Sequence, residues 1–352
     1  MKKLLIANRG EIAVRIIRAC RDVGVAPVAV YSECDRLAPH VRQADEAYPV
    51  GGSAPRDSYL RIDRLIDAAR RSGADAVHPG YGFLSENEAF ARAVRDAGMA
   101  FVGPTPEAIA LMGSKTKARR VAQRAGVPVV PGTGDPIDAN ASDDVVAGLA
   151  ESVGYPLLVK AVSGGGGKGM RSVEGRPELA GAVRAARSEA VTAFGDAAVY
   201  FERRLTRPRH IEVQLLADEH GAVVPFVERE CSIQRRHQKV LEETPSVAVS
   251  STLRRAIASA AAAVAASVGY TNAGTIEFLL DVDGRFYFLE MNTRLQVEHA
   301  ITEMVTGVDL VAWQIRLARG LTERCQMEKV VRRIVVGPTL CFDELVIVVT
   351  EQ

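Results

Sequence analysis

Residues 275–299 contain the side chains best suited to chemistry, in a segment whose local structure can be predicted. Two apolar, aromatic-rich runs flank Asp283-Gly284, and an Asp-Gly pair in this position predicts a tight β-hairpin. If those two residues form the whole loop, the register places Glu277 directly opposite Glu290. The sequence therefore predicts two carboxylates that face each other on neighbouring strands.

Opposed carboxylates repel, and solvent would screen them little because Leu279 and Phe288 are expected on the same sheet face. A divalent cation between Glu277 and Glu290 would remove the repulsion, and Asn292 offers a third oxygen. An oxygen ligand set suits Mg²⁺ or Mn²⁺, with phosphates completing the shell. The alternatives are a turn that slips by one residue, a protonated glutamate, or pairing with a nearby arginine.

Arg294, Gln296 and Glu298 alternate with apolar residues just after this hairpin. In an extended chain, alternate side chains point to the same side. A cation, an amide and a carboxylate beside a metal would form an anion pocket with its own base. An ordinary exposed strand face with mixed polar groups is the competing interpretation.

The composition narrows the classes of function. The chain has 352 residues, enough for two or three domains, and its net charge of +1 gives no reason to expect a nucleic-acid partner. The apolar run before Asn8 is too short for a signal peptide, and residues 256–268 are predicted to form a packed helix, not a membrane span. The five cysteines form no CxxC pair and suggest neither zinc nor disulfides. We therefore expect a cytoplasmic protein with no membrane partner.

The N-terminal part alternates between short β-rich runs and amphipathic helical patterns. This alternation predicts a doubly wound parallel sheet, whose ligands bind at the carboxyl ends of the strands. Residues 8–11 and 78–87 follow strands and would lie at that edge. Ser85 and Glu88 form a predicted capping box, so the second segment could equally be turn chemistry. The predicted strands are 4–7, 27–31, 47–50, 76–78 and 100–102, and the predicted helices are 11–23, 59–71 and 87–97.

A second domain is predicted after a helical connector over residues 103–130. Residues 155–161 form a predicted strand that carries Lys160, and the glycine-rich run 163–170 leads into a second strand at 170–173. The run is not a dinucleotide fingerprint, which needs a following helix, nor a Walker A loop, which needs Ser or Thr after Gly-Lys. We interpret it as a flap whose backbone N–H groups close over phosphates; the alternative is a disordered linker.

Further strands are predicted at 199–203, 211–216 and 223–228, followed by the basic run 231–239. Four potentially positive side chains within five residues usually form a solvated face. Because this run precedes the predicted metal hairpin, binding of an anionic substrate is the competing interpretation.

Several segments in order make the sequence specific enough to compare with a known family. Together they resemble the biotin carboxylase subunit or domain of biotin-dependent carboxylases, such as acetyl-CoA carboxylase, which have the ATP-grasp fold. The segments are 6–13, 78–87, 163–170, 231–239 and 290–299.

The resemblance implies an α/β fold with two domains. A Rossmann-like N-terminal domain with the doubly wound sheet would occupy residues 1–114, and an ATP-grasp α+β domain would occupy 115–320, with a lid over about 131–204. Residues 321–352 do not align, so we expect an atypical and incomplete C-terminal part, with possible strands at 335–340 and 345–350.

The resemblance also implies roles for individual residues. Glu277 and Glu290 would be metal ligands with Asn292 beside them, Glu298 would be the base that deprotonates bicarbonate, and Tyr81 would lie on the biotin approach. The implied bicarbonate pocket is Lys239, Arg294, Gln296, Val297 and Glu298, of which Lys239, Arg294 and Glu298 act in catalysis. The implied ATP contacts are Lys115, Lys160, Gly165, Gly166, Gly167, Glu202, Arg203, Leu205, His210, Gln234 and His237, with Glu202, Arg203 and Leu205 near the adenine.

The implied reaction is the first half-reaction of an acyl-CoA carboxylase, as in fatty acid biosynthesis. ATP and bicarbonate would form carboxyphosphate, whose breakdown carboxylates biotin on a carrier protein. The implied cofactors are ATP and two Mg²⁺ or Mn²⁺ ions, with biotin as the carboxyl acceptor. The implied partners are a biotin carboxyl carrier protein or domain, a carboxyltransferase subunit and a second copy of the chain, for which we expect an incomplete dimer surface.

Two other functions stay open at this point. One is another ATP-grasp ligase of the carbamoyl-phosphate type, which the run from Arg294 to His299 disfavours. The other is a catalytically impaired ATP-binding or regulatory protein that lacks the C-terminal biotin and dimer region.

Overall fold

The computed structural model describes residues 1–138, 140–163, 169–235 and 238–320, together with the backbone of 346–349. The first sheet is built from β1 (Lys3–Ile6), β2 (Ala26–Ser32), β3 (Glu46–Gly51), β4 (Ala76–His78) and β5 (Ala100–Phe101). The helices of this region are α1 (Gly10–Asp22), α2 (Pro39–Gln43), α3 (Ile62–Ser72), α4 (Glu88–Asp96), α5 (Pro106–Met112) and α6 (Lys115–Arg124).

The first sheet is parallel, with strand order β3-β2-β1-β4-β5. Alternation along β1 sends Leu4 and Ile6 to the face covered by α1, and Leu5 to the face covered by α3 and α4. Helices on both faces make this a doubly wound sheet, as predicted. The segments that follow β1 and β4 meet at its carboxyl edge.

A small antiparallel sheet follows, in the order β7-β6-β8. Its elements are α7 (Asp143–Val153), β6 (Leu157–Ala161), β7 (Met170–Val173), α8 (Arg176–Phe194) and β8 (Val199–Arg203). The glycine-rich run therefore connects two adjacent antiparallel strands. Residues 164–168 of that run lie outside the described residues.

The large sheet has the strand order β14-β13-β9-β11-β12-β15, and β10 pairs with β9. The strands are β9 (Arg209–Ala217), β10 (Val223–Pro225), β11 (Arg229–Arg235), β12 (Gln238–Thr244), β13 (Asn272–Leu280), β14 (Phe286–Asn292) and β15 (Val346–Val349). The helices are α9 (Ser251–Ser267), α10 (His299–Thr306) and α11 (Leu310–Ala318). Predicted strand 345–350 corresponds to β15, whereas 335–340 lies outside the described residues.

One hydrophobic core joins the first sheet to the large sheet. Leu4 and Ile16 pack in the same cluster as Leu216 of β9, Leu295 after β14 and Trp313 of α11. The carboxyl edge of the parallel sheet is thereby held against the end of the β13–β14 hairpin. In the described parts of the chain, no helix has the length and apolar character needed to cross a membrane.

The hairpin loop differs from the prediction. Gly284 N donates to Asp281 O and has φ +82°, and Asp281 N donates to Arg285 O, so the loop is a turn over Val282, Asp283 and Gly284 and not a two-residue loop. Such three-residue loops end in a left-handed residue, usually glycine. The turn shifts the register by one residue.

A β-bulge restores the register further along. Phe278 pairs with Phe288 and Glu277 with Glu290, which leaves Leu289 as an extra residue on β14. Glu277 therefore faces Glu290, as predicted. Phe288 was wrongly expected on the carboxylate face; it packs beside Phe278 in the core.

The predicted capping box at Ser85 is also wrong. The N-cap of α4 is Asn87, whose Oδ1 accepts from Phe90 N at 2.9 Å. Asn87 is as good an N-cap as serine, and it lies one residue before the helix, where the cap is needed.

Candidate active site

The Glu277 carboxylate lies at the centre of the site and accepts hydrogen bonds from several elements. Its Oε1 accepts from Asn292 Nδ2 at 2.9 Å, from Lys239 Nζ at 3.0 Å and from Gln296 Nε2 at 3.1 Å. Its Oε2 lies 2.8 Å from His210 Nε2. Burial alone would raise the pKa of Glu277, but Lys239 and His210 hold this pKa well below its usual range. Glu277 is therefore ionised at neutral pH.

Glu290 lies directly across the strands from Glu277. Its side chain is 36% exposed, so it is more accessible than the buried Glu277. Burial and the charge of Glu277 both raise the pKa of Glu290. This rise is the expected consequence of two opposed acids, and a cation between them would reverse it.

Lys239 connects three carboxylates. Its Nζ lies 2.5 Å from Glu212 Oε2, 3.0 Å from Glu277 Oε1 and 3.2 Å from Glu298 Oε1. Burial would lower the pKa of Lys239, but these acids raise it well above its usual value. Glu212 also accepts from Arg229 Nε at 2.6 Å; burial opposes ionisation of Glu212, yet Lys239 and Arg229 lower its pKa to about 2.

The residues predicted to bind bicarbonate lie together, but not on an extended strand. β14 ends at Asn292, and a turn leads directly into α10, whose N-cap is Glu298. The predicted extended alternation is therefore wrong, and contacts with other elements place these side chains. Gln296 and Glu298 are buried, and Arg294 Nη2 donates to Asn292 Oδ1 at 3.1 Å. Val297 is half-buried in the same turn.

Three cations predicted to contact ATP phosphates act on one carboxyl group. Lys115, the first residue of α6, has its Nζ 3.7 Å from Glu290 Oε2. Burial and Glu277 raise the pKa of Glu290, whereas Lys115, Lys160 and His210 all lower it. Burial opposes protonation of His210, but Glu277 outweighs it and raises the pKa of this imidazole. Positive charge is thus concentrated beside the opposed acids.

Glu202, predicted near the adenine, has its carboxylate engaged in buried ion pairs. It accepts from Lys160 Nζ at 2.5 Å and from Arg119. Burial would raise the pKa of Glu202, but Lys160 and Arg119 lower it. The side chain therefore orients Lys160. Arg203 is exposed and Leu205 is half-buried.

The remaining predicted nucleotide contacts lie at the edge of this group. Gln234 Nε2 lies 2.9 Å from His210 Nδ1, which brings Gln234 next to the cations. The basic run does not form one solvated face, because Arg235 is exposed while Lys239 points into the site. Four predicted contacts lie outside the described residues: Gly165, Gly166, Gly167 and His237.

Tyr81 lies in a loop at the carboxyl edge of the parallel sheet. Asn8 Nδ2 donates to Pro79 O at 2.8 Å and to Tyr81 O at 2.7 Å. Gly80 has φ +64°, and a Cβ at this position would lie 2.9 Å from Asn8 Nδ2, so the loop requires glycine here. Both predicted edge segments thus meet, as their positions after β1 and β4 indicated.

Glu86 links this loop to the bicarbonate segment. Its Oε1 accepts from Thr293 N at 3.0 Å, and its Oε2 accepts from Arg294 Nε at 2.9 Å. The loop that carries Tyr81 is therefore tied directly to Arg294.

Four charged residues of the site were absent from the prediction. They are Glu86, Arg119, Glu212 and Arg229. For Glu212 a signal existed, because Glu212 and Gln214 alternate with the apolar residues Ile211, Val213 and Leu215 and so mark a buried polar face. Arg119 and Arg229 carried no local signal, because their partners are distant in sequence.

The donor chemistry decides where a divalent cation fits. His210, Glu212 and Glu277 form a group of potential ligands whose ligand atoms lie within 4.8 Å of one another. Both oxygens of Glu212, however, are bonded to Arg229 and Lys239, so an ion there would have to displace two cations. Among the described residues Glu277 Oε2 contacts His210 alone, whose imidazole can be neutral, and Glu290 has Lys115 no nearer than 3.7 Å. These opposed acids can therefore offer oxygens to a hard cation such as Mg²⁺. The residues fit an ion between these two acids.

The chain combines a small antiparallel sheet, which has a lysine on one strand and a glycine-rich connection, with a large sheet that carries acids and cations. This combination defines an ATP-grasp protein. Residues 114–325 match the family described as Carbamoyl-phosphate synthase L chain, ATP binding domain. Residues 1–109 match the family described as Biotin carboxylase, N-terminal domain. The chain belongs to the biotin carboxylase family.

Individual relatives agree with this membership. The chain is 54% identical over 331 residues to the biotin carboxylase of a Nostoc species, covering 94% of this chain and 73% of that protein. The crystal structure of a Campylobacter jejuni biotin carboxylase complex with β-γ-ATP is similar with a TM-score of 0.88 and 46% identity, over 93% of this chain and 72% of that one.

A second structure is similar over the same region. It is the biotin carboxylase domain dimer of 2-oxoglutarate carboxylase from Hydrogenobacter thermophilus, in complex with MgADP, ADP and bicarbonate. The TM-score is 0.87 and the identity 47%, over 92% of this chain and 70% of that one. The predicted family and fold class are confirmed.

Proposed function

We propose that this chain is an ATP-dependent ligase that carboxylates biotin with bicarbonate through carboxyphosphate. The observation that supports the proposal most directly is the position of Lys239 Nζ, within 3.2 Å of carboxylate oxygens of Glu212, Glu277 and Glu298. ATP and bicarbonate are both anions and repel each other. A cation held between the proposed base and the proposed metal ligands would offset this repulsion. Relatives with bound β-γ-ATP, MgADP and bicarbonate support the same substrates.

We assign Lys115, Lys160 and His210 to the triphosphate of ATP. Their combined charge would offset the repulsion between an anionic γ-phosphate and bicarbonate. Glu277 and Glu290 would hold Mg²⁺, with Asn292 beside them; a bound Mg²⁺ supplies charge neutralisation at the phosphates. We propose that the bound metal is Mg²⁺ in preference to Mn²⁺, and that a second metal ion binds with it.

Bicarbonate would bind between Lys239 and Arg294, beside Gln296 and Val297. Glu298 accepts the bicarbonate proton, and the resulting oxyanion attacks the γ-phosphorus of ATP. A new O–P bond forms, the bond from that phosphorus to the β,γ-bridging oxygen breaks, and ADP leaves. Lys239 Nζ lies 3.2 Å from Glu298 Oε1. Its positive charge would stabilise the negative charge that develops on bicarbonate as the proton moves to Glu298.

The carboxyphosphate must be kept from water until biotin accepts its carbon. The glycine-rich connection between β6 and β7 would cover the phosphates, and the Tyr81 loop would receive biotin. Cleavage of the C–O bond releases CO₂ and phosphate. The phosphate takes the N1 proton of biotin, and the deprotonated N1 attacks the CO₂ carbon, which forms the N–C bond of carboxybiotin. The bridge from Glu86 to Arg294 aligns the two halves of this reaction.

The domain division and the partners also belong to this proposal. Residues 1–114 would form the N-terminal domain and 115–320 the ATP-grasp domain, with the lid at about 131–204. We propose a biotin carboxyl carrier protein or domain and a carboxyltransferase as partners, because one similar structure is a domain of a larger carboxylase.

The test is ATP hydrolysis by the chain with and without bicarbonate and free biotin. We expect hydrolysis that requires Mg²⁺ and bicarbonate and that free biotin stimulates. Nucleotide binding without turnover would instead indicate an impaired, regulatory protein. Bicarbonate-dependent hydrolysis followed by transfer of the carboxyl group to ammonia, with no response to biotin, would indicate a carbamoyl-phosphate-type ligase.

A further inference from the structure

We infer that Arg229 is a positioning residue that fixes the side-chain amide of Gln296, so that its NH₂ group and not its oxygen faces the anion pocket. The inference deepens the proposed function and depends on it. Arg229 lies at the start of β11, far in sequence from Gln296, yet Arg229 Nη2 donates to Gln296 Oε1 at 2.9 Å.

The Arg229 guanidinium is fully buried and held from all sides. Nε donates to Glu212 Oε1 at 2.6 Å. Nη1 donates to Gln214 Oε1 at 3.1 Å and to Thr302 Oγ1 at 2.8 Å. Nη2 donates to Thr275 Oγ1 at 3.4 Å, in addition to Gln296. These bonds account for all five N–H groups of an arginine, so the guanidinium has one fixed orientation.

The orientation of Arg229 determines the orientation of the Gln296 amide. Gln296 Nε2 donates to Glu277 Oε1 at 3.1 Å while its oxygen accepts from Arg229. A flipped amide would place NH₂ against a guanidinium and an oxygen against a carboxylate, which are two repulsive contacts in a buried site. Only one orientation is therefore stable. In it one N–H of the amide donates to Glu277, which leaves the second N–H for the place proposed for bicarbonate.

A hydrogen-bond donor from Gln296 matters in the anion pocket because the carboxylates nearby are negatively charged and repel bicarbonate. Glu277 and Glu298 both lie beside the pocket, and an amide oxygen pointing the same way would add to their repulsion of bicarbonate. Arg229 is thus predicted to affect bicarbonate affinity without contacting bicarbonate or nucleotide.

Arg229→Lys is the selective test. A lysine keeps the positive charge and can still bond Glu212, but it lacks the fork that reaches Gln296 at the same time. We expect the KM for bicarbonate to rise about tenfold or more, the usual effect of losing a hydrogen bond to a charged group. The KM for ATP should stay within about twofold, because the phosphate-binding residues are separate. A purely structural role would lower kcat through a smaller folded fraction and leave both KM values unchanged.

A double-mutant cycle ties the effect to Gln296. In a Gln296→Ala background, Arg229→Lys should raise the KM for bicarbonate no further. Independent, multiplicative effects of the two substitutions would overturn the inference.

A milder pair of variants keeps the test decisive if Arg229→Lys does not fold. Thr302→Val removes one acceptor of the guanidinium with little change in shape, and Thr302→Ser keeps that acceptor. We expect a rise of a few-fold in the KM for bicarbonate with valine and none with serine. Equal KM values for the two variants would refute the positioning role. Wild-type protein without bicarbonate-dependent hydrolysis would instead refute the proposed function itself.

Discussion

Replacement of Glu298 by glutamine tests the proposed base while keeping its shape. Glu298 is buried and lies 3.2 Å from Lys239 Nζ. The amide keeps an oxygen that can accept from Lys239, so the local packing should persist. The substitution also removes one negative charge from the pocket. We therefore expect bicarbonate to bind as well as before or better, and the defect to lie in turnover.

The expected loss follows from the role of a general base. A positioned base contributes about 10²- to 10⁴-fold, which corresponds to about 3–5 kcal/mol of activation free energy. The whole loss should appear in kcat of bicarbonate-dependent ATP hydrolysis. The Kd for ATP should not change, because the phosphate-binding cations Lys115, Lys160 and His210 are untouched.

The assay compares this variant with a matched control, Glu303→Gln, in the helix that Glu298 caps. Glu303 pairs with Arg15 at 2.9 Å, outside the site, so its loss of charge should leave kcat near the wild-type value. Steady-state hydrolysis gives kcat and the KM for bicarbonate, and calorimetry gives the Kd for ATP. Glu298→Gln protein with wild-type kcat, or with a defect confined to ATP affinity, would show that Glu298 is not the base.

Two further predictions concern the acids and the imidazole at the centre of the site. Glu290→Gln should raise the Mg²⁺ concentration needed for half-maximal nucleotide binding by at least about tenfold, measured by calorimetric titration. Without Mg²⁺ at neutral pH it should raise the Tm, because the pKa of Glu290 is raised and its ionisation therefore destabilises the fold. A lower Tm in thermal unfolding would contradict the repulsion between Glu277 and Glu290. The pKa of His210 is raised above its ordinary 6.5, so its protonation stabilises the fold below that pH and the stabilisation is lost as pH rises through the folded-state pKa. The Tm advantage of wild type over His210→Asn should accordingly shrink as pH rises from 6 to 8, and a constant difference would argue against the His210–Glu277 ion pair.

The local periodicity of the sequence is sufficient to predict most of the fold. The boundaries of β4, β7 and β8 match the predicted strands, because each is a short β-rich run bounded by turn residues. The basic run is harder to predict, because it extends over two strands, β11 and β12. Two-residue alternation on those strands sends Lys239 into the site while Arg235 stays exposed, and a count of charges cannot separate them.

The site itself was predictable only where its residues are neighbours in sequence. Glu277, Glu290 and Asn292 share one hairpin, so local rules could place them together. Arg229 could not be found in this way, because its partners come from β9, β13, the turn after β14 and α10. An arginine next to two glutamates in the sequence is typical of a solvated strand. Only the tertiary contacts make it a fully buried cation.

The opposed acids show why a correct pairing can follow from an incorrect turn. The observed loop holds one residue more than the predicted loop, which alone would place Glu277 opposite Leu289. Burial favours a different arrangement, because Phe288 and Met291 both pack in the core although they are three residues apart, and strict alternation would send one of them to the carboxylate face. The bulge at Leu289 absorbs the extra residue and satisfies both requirements. Packing of Phe288 and Met291 in one core, and not the loop sequence, therefore fixes the register that brings Glu277 and Glu290 together.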